Sequence, residues 1–163
     1  MSLLLPRVER QLSDLRIPYS VMECDPDFAD TAAFCDHYGI DPADSANTIL
    51  VASKRPPGVF GVCVALATTR LDVNRAVRDE LGVKKLSFAP AEVTLAVTGM
   101  EIGGVTPFGL DDGIPILVDA AVMERQEIVL GGGNRSSKLA LAPDHLQELP
   151  NLSIVQGLAT PAT

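Results

Sequence analysis

The sequence is most informative in one stretch, which reads Thr98-Gly99-Met100-Glu101-Ile102-Gly103-Gly104-Val105-Thr106-Pro107-Phe108-Gly109. Its second half is a glycine-rich loop that leaves the main chain bare at two adjacent glycines, and a proline stiffens its exit. Successive N–H groups of such a loop can hold a carbonyl oxygen or the oxyanion that develops from it. A second glycine loop follows at Gly131-Gly132-Gly133. Spacing alone leaves two interpretations open: a ligand cleft lined by both loops, or two tight turns between strands.

Helical and strand patterns surround these loops in an irregular order. Apolar spacing and end signals predict helices from a Ser2 cap to Ile17, from Asp30 or Thr31 to Tyr38, from Asp72 to Leu81, from Pro90 to Gly99 and from Pro143 to Leu149. Short β-rich runs predict strands at Tyr19–Glu23, Thr48–Ser53, Val59–Ala67, Lys85–Phe88, Ile114–Val118, Glu127–Leu130, Leu139–Leu141 and Leu152–Val155.

This order predicts an α/β chain of the α+β type, because strands and helices alternate without a regular βαβ rhythm. The second and third strands form a predicted hairpin with a mid-length loop, Lys54–Gly58. A mixed, curled sheet is favoured over a doubly wound parallel one. The length of 163 residues suits one domain, 1–163, with its core at about 7–158 and a frayed tail at 159–163.

Composition narrows the classes of function. The net charge of −8 and the pI near 4.6 argue against gripping a long nucleic-acid backbone such as DNA, but not against capturing the end of a nucleic acid. No apolar run approaches the ~20 residues that span a bilayer. The cysteines, Cys24, Cys35 and Cys63, are odd in number and lack framework spacing, so reduced thiols in a cytoplasmic protein are expected.

Several familiar kinds of site are poorly supported. The two histidines, His37 and His145, fall on predicted helices away from the glycine loops, which disfavours a Ser-His-Asp or Cys-His site. Cys24 with Cys35 and His37 lacks the paired spacing of a zinc site. Gly131-x-Gly133 follows a strand as in a dinucleotide fingerprint, but position 136 is a serine and another strand follows, not a helix. The residues therefore indicate neither a metal nor a cofactor.

The glycine loops and their surroundings resemble the YbaK/prolyl-tRNA-synthetase-associated domain family, whose members remove wrongly attached amino acids from tRNA. The resemblance covers about Arg7 to Leu158, and the Thr98–Gly109 stretch is its most specific part. Its other landmarks are Thr31-Ala32-Ala33, Ala46-Asn47-Thr48-Ile49-Leu50-Val51, Leu71-Asp72-Val73-Asn74, Lys84-Lys85-Leu86 with the residues to Ala89, Ile116–Asp119 and Gly131-Gly132-Gly133-Asn134-Arg135.

The resemblance implies a partly closed, β-barrel-like sheet with flanking helices and a pocket between the two glycine loops. It also implies a metal-free reaction without a protein nucleophile, in which water or a group on the substrate attacks an aminoacyl ester. The residues that would cradle the carbonyl are Gly103, Gly104, Thr106 and Pro107. Substrate-binding residues would be Gly131, Gly132, Gly133 and Arg135 on the facing wall, together with Asn47 and Lys138 at the ribose-phosphate end.

Two positions depart from the family pattern. Family members usually carry a lysine where this chain has Asn47, and often an acidic residue where it has Lys138. One interpretation is that the cation has moved, so that Lys138 enters the pocket from the opposite side. The other is that Lys138 is exposed and the site has drifted to another ligand.

The leading prediction is therefore a freestanding deacylase that hydrolyses mischarged aminoacyl-tRNA in trans. Its partners would be the acceptor end of an aminoacyl-tRNA and an aminoacyl-tRNA synthetase. An alternative from another class is a non-catalytic module that binds an amino-acid-like or nucleotide ligand or docks on a synthetase. A generic esterase for small substrates ranks last, because no nucleophile–base pair is visible. The amino acid removed does not follow from the sequence.

Overall fold

The structure is a computed structural model, and it describes residues 3–162. Its helices are α1 (Pro6–Asp14), α2 (Thr31–Tyr38), α3 (Arg78–Leu81), which continues a π-helical turn at Val73–Val77, and α4 (Ala91–Thr98). Its strands are β1 (Ser20–Glu23), β2 (Ala46–Arg55), β3 (Pro57–Leu66), β4 (Thr69–Leu71), β5 (Lys85–Phe88), β6 (Ile116–Asp119), β7 (Ile128–Gly131), β8 (Ser137–Leu141), β9 (Leu152–Val155) and β10 (Ala159–Pro161). Short 3₁₀ helices lie at Pro26–Phe28, Pro42–Asp44, Ala120–Glu124 and Pro143–Glu148.

The strands form three sheets. The largest has the order β5-β2-β3-β6-β9, in which β5, β2 and β3 are antiparallel while β3, β6 and β9 are parallel. A second sheet has the order β1-β8-β7, and β4 pairs with β10. The predicted mixture of helices and a mixed sheet in one domain is confirmed. Within residues 3–162 none of the sheets closes, so the barrel-like closure is not confirmed.

Strand β2 separates the two larger parts of the hydrophobic core. Leu50 faces one part, which contains the fully buried Val8 and Leu12 of α1. The neighbouring Val51 faces the other part, beneath the turn that leads into α3. This alternation is the two-residue period of a strand covered on both faces.

Glycines end three of the helices where the sequence predicts. Gly39, Gly82 and Gly99 follow α2, α3 and α4, and each adopts the left-handed conformation that closes a helix without a Cβ penalty. Helix α1 begins at Pro6, after Leu5 as its N-cap, and so starts later than predicted. The predicted Ser2 cap lies outside the described residues.

Three predictions about elements are wrong. The hairpin has no mid-length loop, because β2 extends to Arg55 and β3 begins at Pro57. The segment after Pro143 is a 3₁₀ helix, not an α-helix. Residues 159–161 of the tail are not frayed: they form β10, and the buried carboxylate of Asp119 accepts a hydrogen bond from the Ala159 N–H.

Strand β5 is shorter than its neighbour, and this difference creates an open edge. It pairs with β2 only from Val51 to Arg55. The last contact beyond that ladder is the Ala89 N–H, which donates to the Leu50 carbonyl at 2.9 Å. Since main-chain groups alternate sides along a strand, the N–H and C=O of Thr48 point in the same direction as those of Leu50. The open edge, residues 46–49, is where the candidate site lies.

Candidate functional site

A cavity of about 190 Å³ lies against the open edge of β2. Its walls come from the start of α2, from β2, from the two glycine loops and from β8. The residues that supply its polar groups are Asp30, Thr31, Asn47, Thr48, Gly103, Gly131 and Lys138. The Thr48 hydroxyl is buried in this wall and has no hydrogen-bond partner within residues 3–162. The cavity therefore combines a small volume with several polar groups that could meet a ligand.

Lys138 lies on β8, the central strand of its sheet, and is 6% exposed. Its ammonium donates to the carbonyl oxygens of Ala29 at 2.6 Å and Gly103 at 2.8 Å, and lies 5.2 Å from the centre of the Phe34 ring. The third N–H of the ammonium has no acceptor in the described part of the chain. Burial lowers the pKa of Lys138 from its ordinary value. The interpretation that Lys138 is an exposed surface residue is wrong.

Asn47 of β2 also lines the cavity, and its Oδ1 accepts a hydrogen bond from the Thr31 hydroxyl. This bond fixes the side-chain amide, so its NH₂ group is the end that can donate to a ligand. Asn47 and Thr31 also line a neighbouring groove of about 700 Å³. That groove carries the carboxylates of Asp36 and Asp41. The Thr31–Asn47 pair is thus the boundary between a small cavity and a larger acidic groove.

Arg135 holds the first glycine loop from outside the cavity. Its guanidinium donates to the Ile102 carbonyl at 2.6 Å, the Pro26 carbonyl at 2.8 Å and the Asp30 carboxylate at 3.0 Å. Gly103 has a φ of +95°, and a Cβ added there would lie 2.2 Å from Arg135 Nη1. Arg135 therefore fixes the position of the first glycine loop through hydrogen bonds and does not line the cavity.

The two glycine loops touch each other through the main chain. The Gly133 N–H donates to the Gly104 carbonyl at 2.7 Å. A Cβ on Gly131 would lie 2.6 Å from the carbonyl oxygens of both Gly104 and Val105. The two loops are thus in contact, and both contribute residues to the cavity. The cavity lies beside their junction, with Gly103, Val105 and Gly131 at its wall.

Several predicted site residues lie elsewhere. Thr106 is fully buried, and Pro107 faces a separate small cavity beside Gln11. The Gly104 N–H is used by the Glu101 carbonyl at 2.9 Å. Gly132 and Gly133 pack against the N-terminal segment, where the Leu5 N–H donates to the Gly132 carbonyl. Of the predicted carbonyl cradle, only Gly103 meets the cavity.

Sequence reasoning assigned no site role to Thr31, Thr48, Val105 or Asp30, all of which line the cavity. Thr31 could have been found, because it starts α2 within one of the family landmarks. Thr48 and Val105 also lie within family landmarks, but nothing in the sequence shows that their groups face the cavity and not the core.

His37 and the three cysteines do not line the cavity. His37 stacks on Phe28 with ring centres 3.8 Å apart. The three cysteines are buried free thiols, and burial raises the pKa of Cys63 to about 12. Residues 3–162 contain no group of three or more His, Cys, Asp or Glu side chains that could hold a metal ion. None of the helices in that range is both long and apolar enough to cross a membrane.

Comparison with known proteins places this geometry in a family. Residues 25–149 match the aminoacyl-tRNA editing domain. YwhH, an uncharacterised protein of Bacillus subtilis (strain 168), is 36% identical over 85 residues, which are 52% of this chain and 53% of YwhH. The chain thus spans about half the length of this curated relative.

Solved structures show the same fold. The crystal structure of the hypothetical protein APE2540 matches with a TM-score of 0.83 at 21% identity, over 94% of this chain and 99% of that one. A crystal structure reported as a candidate trans-editing enzyme for prolyl-tRNA synthetase matches with a TM-score of 0.79 at 19% identity, over 96% of this chain and 97% of that one. At these identities the likeness concerns the fold alone, whereas the domain match covers most of the sequence. The chain therefore belongs to the aminoacyl-tRNA editing domain family.

Proposed function

We propose that this protein hydrolyses the ester bond of a mischarged aminoacyl-tRNA in trans. The observation that carries the proposal is the buried Lys138 ammonium at the wall of a 190 Å³ cavity that Asn47 also lines. A buried cation with an N–H to spare is costly unless a ligand or a developing negative charge uses it. The relocated cation would take the part of the lysine that the family carries at the position of Asn47.

The chemistry needs positioning and charge stabilisation, because an aminoacyl ester is already activated. Water adds to the carbonyl carbon, the bond to the ribose oxygen breaks, and that oxygen leaves with a proton to give free amino acid and tRNA. The third N–H of Lys138 and the main-chain N–H groups of Gly103 and Val105 would donate hydrogen bonds to the oxyanion and stabilise it. The Asn47 NH₂ group would donate to the ribose. No protein nucleophile, metal or cofactor takes part in this scheme.

The geometry favours a small amino acid. The 190 Å³ cavity lies below the ~300–1,000 Å³ common for drug-sized ligands, so it suits an aminoacyl group and not a whole nucleoside. The α-ammonium of that group would face the acidic groove of Asp36 and Asp41. A missing methylene changes binding by only ~1–3 kcal/mol, which is why synthetases need a second, editing site.

The family and the fold also favour particular partners. One similar solved structure is reported as a candidate trans-editing enzyme for prolyl-tRNA synthetase. Proline tRNA that carries a wrong amino acid is therefore the first substrate to test. A complex with that synthetase and a cytoplasmic location are part of the same proposal.

The test is turnover of a panel of mischarged tRNAs by the wild type and three variants. Lys138→Met should lower kcat by about 10²-fold or more, as the loss of an oxyanion donor does, while Lys138→Arg retains part of the activity. Asn47→Lys in the Lys138→Met background should restore at least part of the loss, because it returns a cation to the cavity. Unchanged turnover in Lys138→Met would overturn the relocated cation. Saturable binding of aminoacyl-adenosine without turnover of any tRNA would instead indicate a binding module.

The pH dependence gives a second test of the same cation. Because the pKa of Lys138 is lowered by burial, the ammonium loses its proton as pH rises through a value below the ordinary 10.5. The catalysed rate, corrected for spontaneous hydrolysis, should fall in that window. Stability should move the other way: the unfolded chain binds more protons there, so the free energy of unfolding of the wild type rises relative to Lys138→Met. A neutral amine keeps two N–H groups for the Ala29 and Gly103 carbonyls, so only the third contact is lost.

A further inference from the structure

A basic surface of four exposed side chains lies at the far end of β2 and β5. It consists of Lys54, Arg55, Lys84 and Lys85. Arg55 is directly paired with Lys85 across the ladder, and the Lys84 N–H donates to the Arg55 carbonyl at 2.9 Å. The main chain therefore holds these four residues next to one another at one end of the sheet, which we name the basic end.

The cations of the basic end are available to a partner. Within residues 3–162 none of the four forms an ion pair, whereas five arginines elsewhere each bind a carboxylate: Arg7, Arg75, Arg78, Arg125 and Arg135. The remaining exposed cations without an ion pair in that range are Arg10, Arg16 and Arg70, and none of these belongs to β2 or β5. In a chain with a net charge of −8, four unpaired cations on two adjacent strands are a local exception.

An exposed aromatic side chain lies between the basic end and the cavity. Phe88 is 52% exposed, the largest exposure among the aromatic residues in the described range, and it is paired with Val51 near the middle of β2. It lines a hollow of about 140 Å³ together with Ile102, which is 48% exposed. That hollow shares Thr48 and Gly103 with the cavity. The exposed ring therefore adjoins the cavity and is accessible to a ligand that enters it.

Cavity, aromatic ring and basic end thus follow one strand in order. From Ile49 at the cavity to Arg55 at the basic end the strand rises about 20 Å, the length of about six stacked nucleotides. The other side of the cavity opens on the groove of Asp36 and Asp41, whose charge repels phosphate. Of the two sides of the cavity, only the one that leads along β2 to the basic end suits an RNA backbone.

We propose that β2 and β5 form a track for the acceptor end of the RNA: a base near the acylated 3′ end stacks on Phe88, and the basic end binds phosphates further along the strand. This inference rests on the proposed function, because it takes the cavity as the place of the acylated ribose. It adds the direction from which the RNA enters. The track also reconciles RNA binding with the net charge of −8, because only the cations at one end of β2 and β5 need to contact phosphates.

The first test compares two triple variants with the same change in charge. One is Arg55→Gln with Lys84→Gln and Lys85→Gln, and the control is Arg10→Gln with Arg16→Gln and Arg70→Gln. Binding of uncharged tRNA is measured against salt concentration by fluorescence anisotropy. The first variant should lower the slope of log K against log salt by about two to three, since each phosphate contact contributes ~0.7–0.9, and the control should leave it unchanged. Equal slopes in the two variants would overturn the track.

The second test addresses the aromatic ring. Phe88→Ala should weaken tRNA binding about ten-fold, as the loss of a stacked base does, whereas Phe88→Tyr should bind like the wild type. Leu95→Ala is the control, because Leu95 is 50% exposed on α4 and lies outside the cavity and the hollow. Unchanged binding by Phe88→Ala would contradict the stacking.

A third measurement separates this inference from the proposed function. The basic-end variant should hydrolyse aminoacyl-adenosine, which lacks the RNA backbone, at the wild-type rate while its KM for aminoacyl-tRNA rises. If the wild type hydrolyses aminoacyl-tRNA and the variant's KM is unchanged, the track is wrong and the deacylase stands. If the wild type hydrolyses nothing but its tRNA binding depends on the basic end, the deacylase is wrong and the track stands.

Discussion

The two glycine loops look alike in the sequence, but they differ in what surrounds them. Around Gly103 the atoms nearest to an added Cβ are the ends of side chains, those of Arg135 and Asp30. Around Gly131 they are carbonyl oxygens and carbons of the main chain of the other loop. Flexible side chains can move aside, whereas main chain buried in a core cannot. Side-chain neighbours can therefore shift around Gly103, whereas the absence of a side chain at Gly131 is what lets the main chain of the first loop approach.

The largest expected effect tests this contrast in the second loop. Gly131→Ala should lower the free energy of unfolding by about 3 kcal/mol, because the Cβ overlaps two carbonyl oxygens that have no room to shift. Gly132→Ala should cost about 1 kcal/mol, since the Cβ there meets mainly the Ser137 hydroxyl and the end of Leu4. Urea denaturation measures both. A smaller loss for Gly131→Ala than for Gly132→Ala would contradict this contrast.

A smaller effect is expected in the first loop, with Gly113 as a matched control. Gly103 and Gly113 share a φ of +95°, but nothing lies within 4 Å of a Cβ on Gly113. Either change to alanine should cost about 1–2 kcal/mol in backbone conformation. Only Gly103→Ala should also lower turnover, by about ten-fold or more, because the Gly103 carbonyl positions the Lys138 ammonium. Equal turnover in the two variants would show that the first loop is no closer to the chemistry than an open turn.

The smallest effect concerns the ion pair between Asp30, at the start of α2, and Arg135, which also contacts the first loop through the Ile102 carbonyl. Asp30 is 66% exposed and Arg135 26%, so Asp30→Asn should cost about 0.5 kcal/mol. The two carbonyl contacts of Arg135 remain in that variant. Asp111→Asn, which breaks the exposed pair with Arg7, is the control. A loss above about 2 kcal/mol for Asp30→Asn alone would exceed the range for exposed ion pairs and would mean that the carboxylate holds the loop.

Sequence patterns predicted local structure well where a single residue type determines it. Glycines that close helices and a proline that opens one depend on main-chain conformation, so the ends of α2, α3 and α4 follow from the sequence. Strand β10 does not, because Ala159–Pro161 carries no apolar alternation and pairs with residues distant in sequence, Thr69–Leu71. The full length of β2 did not follow from the sequence either, because its last two residues, Lys54 and Arg55, carry exposed charged side chains and not apolar ones.

The site was predictable in its parts but not in its arrangement. Glycine spacing identified the two loops, and the family resemblance implied that Asn47 and Lys138 belong to the same site. It could not show that the loops touch, because that depends on which main-chain groups face each other after β7 and β8 pair. Nor could it place Thr106 in the core, since a buried threonine and a cavity threonine look the same in sequence.

The shortness of β5 has a consequence for how substrate preference could diverge among proteins with this fold. The cavity exists because one ladder stops early and leaves residues 46–49 of β2 uncovered. Its size is therefore set by strand length and by two loops that lie outside the central sheet. Lengthening or shortening that ladder by one residue pair would change the volume of the cavity and leave the packing of the hydrophobic core unchanged. Selectivity and foldability can then be altered separately, which makes the fold suitable for an enzyme family that must distinguish amino acids differing by a methyl group.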